Sequence, residues 1–385
     1  MKTISTGWLT VALFAAVPGL GRAQAQRPAP YLYVWAGDAD TLHSDFLAVI
    51  DVRPGSSTYA RVLSTAPVGA RATGPHHTEH QLERDRILFA NGFGAGRTFR
   101  FDLTRPDRPR LLGSFTDLGG FSFPHSFVHL RGGHLLATFQ GRGPKSTPPG
   151  GLVELDRQGR LIRSTSARAD PFDGLQMRPY SLAVLPDIDR VVSTSTDMVA
   201  DFGAHLQIWR LSDLTLLHTI ELPRAREGEG RAHEPDHHLF PGEPRVLPDG
   251  RTVLLATFTC GFYRVADIDQ ATPRVDFLRS FGGRDSAVPV LVDSLWIQTV
   301  PDEHALVTLD VADPAHPREV GRVAFDSTFK PHWMAFDEGG SRLVVNDGKR
   351  RLYLVKLDRR TGALEIEQSF RDPEAAAAGV SFARP

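Results

Sequence analysis

The chain has a single cysteine and lacks the short motifs that mark many common enzyme classes. Cys260 excludes an internal disulfide even in an oxidising compartment, and its place after the apolar run 253–258 favours a buried structural thiol. No Gly-x-Ser-x-Gly segment, phosphate-binding glycine loop or Cys-x-x-Cys pair is present. Signatures of a serine hydrolase, a nucleotide-dependent enzyme and a thiol–disulfide oxidoreductase are therefore missing.

Long apolar runs, helical periodicity and clustered charge are also scarce. No stretch comes near the roughly 18 uninterrupted apolar residues expected of a membrane-spanning helix, and none keeps a helical period over three turns. The net charge is −1 and no basic patch stands out. A nucleic-acid partner is therefore not expected.

The first 25 residues have the pattern of a secretory signal peptide. Lys2 gives a charged start, residues 8–17 are mostly apolar, and Ala23-Gln24-Ala25 provides a small-residue cleavage site. Residues 1–25 are therefore predicted to be removed, leaving a periplasmic or secreted protein that is not attached to the membrane. An uncleaved N-terminal anchor is the alternative.

A short pattern beginning with Pro-His occurs three times, at residues 75, 124 and 331, and each copy leads through a polar turn into an apolar run. Three further segments have the same shape without the histidine. One position of the pattern, termed the slot below, recurs at intervals of 44 to 63 residues. The slot residues are His76, His125, Tyr180, Glu243, Val288 and His332.

Repeats of this length, made of short strands and Gly, Pro or Asp turns, indicate the blades of a β-propeller. Six slots give six blades, and three strands at 31–36, 46–52 and 60–65 remain at the N-terminus. Residues 379–382 supply the missing inner strand. The prediction is an all-β, seven-bladed propeller closed by strands from both termini, forming a single domain over 26–385.

The slot places histidines at the start of inner strands, where side chains face the central channel. His76, His125 and His332 are thus expected to converge, and imidazole nitrogens are common ligands of copper, zinc and iron. His77 can join them only if its strand is irregular, because successive residues of a regular strand face opposite ways. The alternative is that these histidines bind carbonyls and water in a wet channel.

Glu243 and Tyr180 occupy slots between the histidines and are the candidate acid/base residues. His80 and His129 lie further along the same strands, where a structural role is favoured. A second cluster, which includes His233, His237 and His238, lies between an outer strand and the Glu243 slot. This loop is expected on the same face as His125, either as a cap or second metal site or as a polar surface loop.

Several segments together resemble the selenium-binding protein and methanethiol oxidase family. The matching features are the segment 45–59, the pair His76-His77, His125 ahead of Gly133, the His205-Leu206-x-x-Trp209 strand and the hairpin 312–321. The resemblance implies a seven-bladed propeller. In the methanethiol oxidases it also implies a histidine-bound copper centre that oxidises methanethiol with oxygen.

Two departures from the family pattern bear on the site. The family's cysteine-rich segment is replaced by Thr78-Glu79-His80-Gln81, so no selenium attachment is expected there. The C-terminal Ala-His-Glu motif is also missing, and His332 stands in a slot that is usually not histidine. His332 is therefore a candidate substitute ligand beside His76, His77 and His125.

Two functions of different classes follow. The first is a copper-dependent oxidoreductase of the methanethiol oxidase type that acts on a small thiol or related sulfur compound. The second is a non-catalytic propeller that binds a metal, a small ligand or a protein partner. The sequence identifies neither the native metal nor a protein partner.

Overall fold

The structure is a computed structural model that describes residues 27–38, 41–79, 82, 85–169, 177–198, 202–223, 240–283, 286, 288–347, 351–370 and 376–382. These residues form seven four-stranded antiparallel sheets arranged as the blades of a β-propeller. Helix is limited, within the described ranges, to three short 3₁₀ turns at Phe93–Ala95, Pro186–Ile188 and Pro301–Glu303. The described residues include no helix with the length and hydrophobicity needed to cross a bilayer. The predicted fold class is confirmed.

The strands are numbered in chain order, and each blade runs from an inner strand at the channel to an outer strand at the rim. The first three strands belong to the blade that closes the ring: β1 Tyr31–Gly37, β2 Phe46–Asp51 and β3 Val62–Pro67. Blade 1 comprises β4 Pro75–Thr78, β5 Ile87–Gly92, β6 Arg97–Asp102 and β7 Arg110–Phe115. Blade 2 comprises β8 Ser122–His129, β9 Leu135–Gly141, β10 Gly151–Leu155 and β11 Leu161–Ser166.

The remaining blades continue in the same way. Blade 3 comprises β12 Pro179–Leu185, β13 Arg190–Asp197, β14 Phe202–Arg210 and β15 Leu216–Glu221. Blade 4 comprises β16 Pro241–Val246, β17 Val253–Thr257, β18 Gly261–Ala266 and β19 Arg274–Ser280. Blade 5 comprises β20 Val290–Val292, β21 Leu295–Val300, β22 Ala305–Asp310 and β23 Arg318–Ala324. Blade 6 comprises β24 Trp333–Asp337, β25 Arg342–Asn346, β26 Leu352–Leu357 and β27 Leu364–Ile366. Blade 7 takes its inner strand, β28 Ala376–Phe382, from the C-terminus.

Middle strands are apolar on both faces because each blade is covered by a neighbour on either side. All seven residues of β9 are buried, whereas β7 at the rim alternates between exposed and partly buried residues. The core therefore lies between blades: Trp35 of blade 7, for example, packs against Phe99 and Phe101 of blade 1.

Blade 7 joins the two ends of the chain, as predicted. β28 pairs antiparallel with β1, with Val34 opposite Val380 and Leu32 opposite Phe382. A buried ion pair on blade 6 holds the N-terminal segment against it. Arg342 contacts Asp337 at 2.8 Å and also donates to the Ala29 and Val52 carbonyls, while Asp337 accepts from the Ala29 amide.

The inner strands of blades 1 to 4 share an irregularity at the slot. The pairing register between inner and second strand shifts between Pro75 and Thr78 in blade 1, and the same shift occurs at the slots of blades 2, 3 and 4. Extra residues in one strand form a bulge, which redirects side chains away from strict alternation. Two successive residues at a slot can therefore both face the channel.

Candidate metal centre

Three histidines from two neighbouring inner strands come together at the channel. His76 and His77 lie on β4 and His125 on β8, and each offers one ring nitrogen within 4.8 Å of the other two. His76 Nε2 and His125 Nε2 are 3.1 Å apart. Imidazole ligands about 2 Å from one metal ion would have their nitrogens at such separations.

The bulge in β4 explains why His76 and His77 both take part. The rings of these consecutive residues have centroids only 4.2 Å apart, and both rings also contact that of His125. The His77 amide is released from the strand ladder and donates instead to Asn91 Oδ1 at 2.6 Å. The irregular strand that His77 required is therefore present.

Asn91 on β5 connects the two strands that carry the histidines. Its Nδ2 donates to the carbonyls of Pro124 and His125 at 3.0 and 2.8 Å, while its Oδ1 accepts from His77. The side chain is fully buried. Since a buried amide with all of these bonds has one low-energy orientation, Asn91 fixes the backbone of both ligand strands relative to each other.

The same arrangement recurs around the ring. In blade 2, Thr138 accepts from the Ser126 amide and donates to the Tyr180 carbonyl of blade 3. In blade 3, Thr194 accepts from the Ser181 amide and donates to the Gly242 carbonyl of blade 4. In blades 1 to 3, a polar residue of the second strand thus accepts a hydrogen bond from a backbone amide at the slot and donates one to the next blade.

Contacts to the second ring nitrogens orient two of the imidazoles. His125 Nδ1 lies 2.8 Å from the Tyr180 carbonyl, and because a carbonyl only accepts, this nitrogen carries the proton and Nε2 is left for a ligand. His77 Nδ1 lies 3.2 Å from Glu243 Oε1, an ion-pair distance that lacks the alignment of a linear hydrogen bond. A carboxylate or carbonyl behind a histidine is the usual outer contact of a metal ligand.

A separate observation also indicates that these three histidines suit a metal ion. His77 Nε2 is buried and has no hydrogen-bond partner, although leaving such a group unpaired costs about 1–3 kcal/mol. A cation bound by the three imidazoles would satisfy it. Burial lowers the pKa of His76 and His125 well below 6.5, and the neighbouring His77 lowers both further. Both rings are therefore neutral at neutral pH, as metal binding requires.

Aromatic rings wall the centre. Phe93 lies 5.6 Å from the His76 ring and 5.8 Å from that of His125, and Trp333 meets His77 edge-on at 6.5 Å. Tyr180 stacks on His125 with centroids 3.9 Å apart. Burial, followed by the charge of Glu243, raises the pKa of Tyr180 well above 10. The phenol therefore stays protonated at neutral pH.

The remaining candidate residues are distributed as follows. His332 lies immediately before β24, outside the group of three histidines, and burial together with His77 lowers its pKa to about 4. Val288 precedes β20 and donates its amide to the His332 carbonyl. His129 Nε2 lies 3.4 Å from Glu79, a buried carboxylate that also pairs with Arg157. His80, the loop with His233, His237 and His238, and the signal segment 1–25 lie outside the described residues.

Two residues near the centre were not singled out from the sequence. Asn91 directly follows the apolar run 87–90 in the second strand of blade 1. A polar residue at the end of such a run was the signal that the sequence offered. Arg245 pairs with Glu243 at 2.8 Å, two residues along the same strand. Neither residue type is a usual metal ligand, so ligand spacing alone does not find them.

No protein-family model matches the chain. A methanethiol oxidase of Hyphomicrobium sp. is 26% identical over 325 residues, which are 75% of this chain and 69% of that protein. A methanethiol oxidase of Ruegeria pomeroyi is 33% identical over 113 residues, which are 28% of this chain and 26% of that protein.

Among solved structures, a hypothetical selenium-binding protein from Sulfolobus tokodaii superposes with a TM-score of 0.72 at 15% identity. The superposition covers 93% of this chain and 96% of that one. At this identity the superposition shows a shared fold. Together with the two sequence relatives, it supports the resemblance of the chain to the selenium-binding protein and methanethiol oxidase family.

Proposed function

We propose that the protein is a copper-dependent oxidoreductase of the methanethiol oxidase type that acts on a small thiol or related sulfur compound. The observation that carries the proposal is the group His76, His77 and His125, whose ring nitrogens lie within 4.8 Å of one another. Two sequence relatives are named methanethiol oxidase. Imidazole nitrogens suit copper, although they also suit zinc and iron.

In this proposal His76, His77 and His125 hold the metal, and His332 of the segment before β24 is the candidate fourth ligand. Copper, when bound, supplies the redox chemistry that oxidation of a thiol by oxygen requires. The carbonyl of Tyr180 and the carboxylate of Glu243 hold the His125 and His77 rings in orientation. Because Tyr180 stays protonated, its phenol can donate a hydrogen bond but not act as a base at neutral pH.

Glu243 is the candidate acid/base residue beside the His77 ring. Its side chain is 1% exposed and lies between His77 and Arg245. The walls formed by Phe93, Tyr180 and Trp333 offer apolar surface to a substrate and exclude water from the rings. A small, uncharged sulfur compound suits such walls better than a charged one. No selenium attachment is proposed, because 78–81 contains no cysteine.

We also propose a periplasmic or secreted location, which rests on the signal-like residues 1–25 alone. N-terminal sequencing of the protein isolated from its native host should find a mature chain that starts near residue 26. An intact N-terminus on membrane-bound protein would support the uncleaved anchor instead.

The function is tested by loading the purified protein with copper and measuring oxygen uptake with methanethiol. Oxygen consumption is expected in the copper-loaded protein and not in the zinc-loaded protein, because zinc has no redox chemistry. Protein that binds copper stoichiometrically but consumes no oxygen with methanethiol or other small thiols would instead be a non-catalytic metal-binding propeller.

A further inference from the structure

A cavity of about 430 Å³ lies further along the inner strands than the histidines. Its walls come from the inner strands of blades 2 to 6 and are largely aliphatic, with Val128, Leu182, Val184 and Val292 among the lining residues. Two arginines also line it. Arg359 pairs with Asp293, whose side chain is 56% exposed, so this pair lies where the cavity meets solvent.

Arg245 links this cavity to the metal centre. Its side chain is 19% exposed, whereas that of Glu243 is 1% exposed. Its Nη2 lies 2.8 Å from Glu243 Oε2 and 2.8 Å from the Pro289 carbonyl, and its Nη1 lies 2.9 Å from the Pro244 carbonyl. The guanidinium is thus fixed by strands of two blades.

The two oxygens of Glu243 have different partners. Oε1 faces His77 Nδ1 and Oε2 faces Arg245. A carboxylate held on one side by a fixed cation has little freedom to rotate, and so its other oxygen is presented to His77 in one direction. This gives a continuous series of polar contacts from the cavity to a ligand imidazole.

We propose that Arg245 is a positioning residue for the metal centre: it fixes Glu243, which in turn fixes the His77 ring. The inference rests on the proposed function in that the three histidines bind copper. It adds a residue that touches neither metal nor substrate and that is reached from the cavity.

The first test is copper affinity in Arg245→Met and Arg245→Lys. Loss of an outer contact to a metal ligand typically weakens affinity about 10–100-fold; since Arg245 acts through Glu243, we expect about tenfold for Arg245→Met and less for Arg245→Lys. Arg359→Met is the matched control, since Arg359 lines the same cavity but pairs with Asp293. It should leave the affinity unchanged.

The second test separates positioning from packing by chemical rescue. In Arg245→Ala, methylguanidinium added to the solution can enter through the cavity and replace the missing cation beside Glu243. Copper affinity should then recover toward the wild-type value, while tetramethylammonium, a cation that donates no hydrogen bonds, should have no effect. The proposal would be overturned if copper binding is weakened in Arg245→Ala and is restored neither by the substitution Arg245→Lys nor by added methylguanidinium.

A third readout requires no metal. In metal-free protein, Arg245→Met should shift the ¹⁵N resonances of the His77 imidazole and leave those of His316, an exposed residue paired with Asp313, in place. Unchanged His77 resonances would overturn the positioning role. Wild-type protein that binds no copper would count against the proposed function alone, because this measurement would still report on Arg245.

Discussion

At the scale of single residues, the centre depends on what lies behind each ligand. The Tyr180 carbonyl fixes the proton of His125 on Nδ1, and Glu243 faces His77 Nδ1. These contacts set which nitrogen is offered to a metal and in which direction. The imidazoles of His77 and His125 are therefore oriented without a metal, and under the proposed function this favours tight binding since little ordering remains to be done.

Removal of His125 should abolish specific metal binding. His125→Ala leaves two histidines from a single bulged strand, and we expect copper affinity to fall by more than the roughly 100-fold seen for outer contacts. Isothermal titration and metal analysis after dialysis measure the effect. His316→Ala, which removes an exposed histidine, is the control and should leave copper affinity unchanged. Full copper stoichiometry in His125→Ala would refute the assignment.

Asn91→Ala should affect both stability and the metal. Three buried bonds are lost, and with about 1–3 kcal/mol for each of the three backbone groups left unsatisfied we expect a total cost of at least about 3 kcal/mol. Copper affinity should fall as well, because the two ligand strands lose their common tether. Denaturant unfolding and copper titration measure the two effects.

Asn346→Ala is the matched control for Asn91. Asn346 accepts from the Trp333 amide at 3.2 Å, in the equivalent position of blade 6. Its loss should destabilise the protein and leave copper affinity close to that of wild type. Equal losses of affinity in both variants would instead argue that blade 6, and with it His332, takes part in the site.

The sequence predicts that histidines from different blades converge at the channel, and the structure brings three of the four candidates together. The Pro-His repeat locates His76 and His125, because residues at equivalent repeat positions face the same channel. His77 joins them only through a bulge, which the pattern of side chains does not reveal. His332 lies outside the group of three histidines, although the next residue, Trp333, contacts the His77 ring.

At the scale of elements, the sheets combine regular outer strands with irregular inner ones. Hydrophobic patterning and turn residues predict the strands, including the terminal inner strand at 379–382. They do not predict the polar residues Asn91, Thr138 and Thr194, whose side chains replace ladder bonds at the bulges. Such tertiary contacts depend on where the next blade lies, and local sequence does not encode that.

The end of β2 and the turn that follows it test how much one buried carboxylate contributes to the free energy of unfolding. The Asp51 side chain is fully buried, and its carboxylate accepts hydrogen bonds from Arg53, Ser56 and Thr58. Its hydrogen bond with Arg53 is the main cause that holds the pKa of Asp51 well below 3.8. Its charged form therefore stabilises the folded state above pH 3.8, and this contribution is lost as the pH falls further.

Asp51→Asn should thus lower the free energy of unfolding by about 1–3 kcal/mol at pH 7, as expected for charge-assisted hydrogen bonds. The difference from wild type should narrow as the pH falls below about 4, because the unfolded chain takes up a proton on Asp51 there while the folded carboxyl, with its lowered pKa, stays charged. Urea unfolding across this range measures it. A difference that does not change with pH would contradict the assignment.

At the scale of the whole molecule, stability depends on closing the ring. β28 supplies the inner strand of blade 7, and Arg342 and Asp337 hold the entering N-terminal segment against blade 6. Both side chains are 4% exposed. Breaking one partner of a buried ion pair is costly, because the other charge remains buried without compensation.

Arg342→Met should therefore destabilise the protein by about 3–5 kcal/mol. Arg318→Met, which removes an exposed pair with Asp310 on the outer edge of blade 5, should cost only about 0–1 kcal/mol. Equilibrium unfolding compares the two. Similar small losses in both would show that the seam does not depend on the ion pair.

Because β28 pairs with β1, the same ring can be built by a chain that begins at a different strand. Ends that lie side by side in one sheet can be linked and the chain opened elsewhere. A circular permutant that begins just before β4 and joins residue 382 to residue 27 through a short linker keeps Ala29 and would build each blade from consecutive strands. Its blade 7 would close as the last strands emerge, without a search between segments separated by almost the entire chain, and so it should refold faster than the natural order.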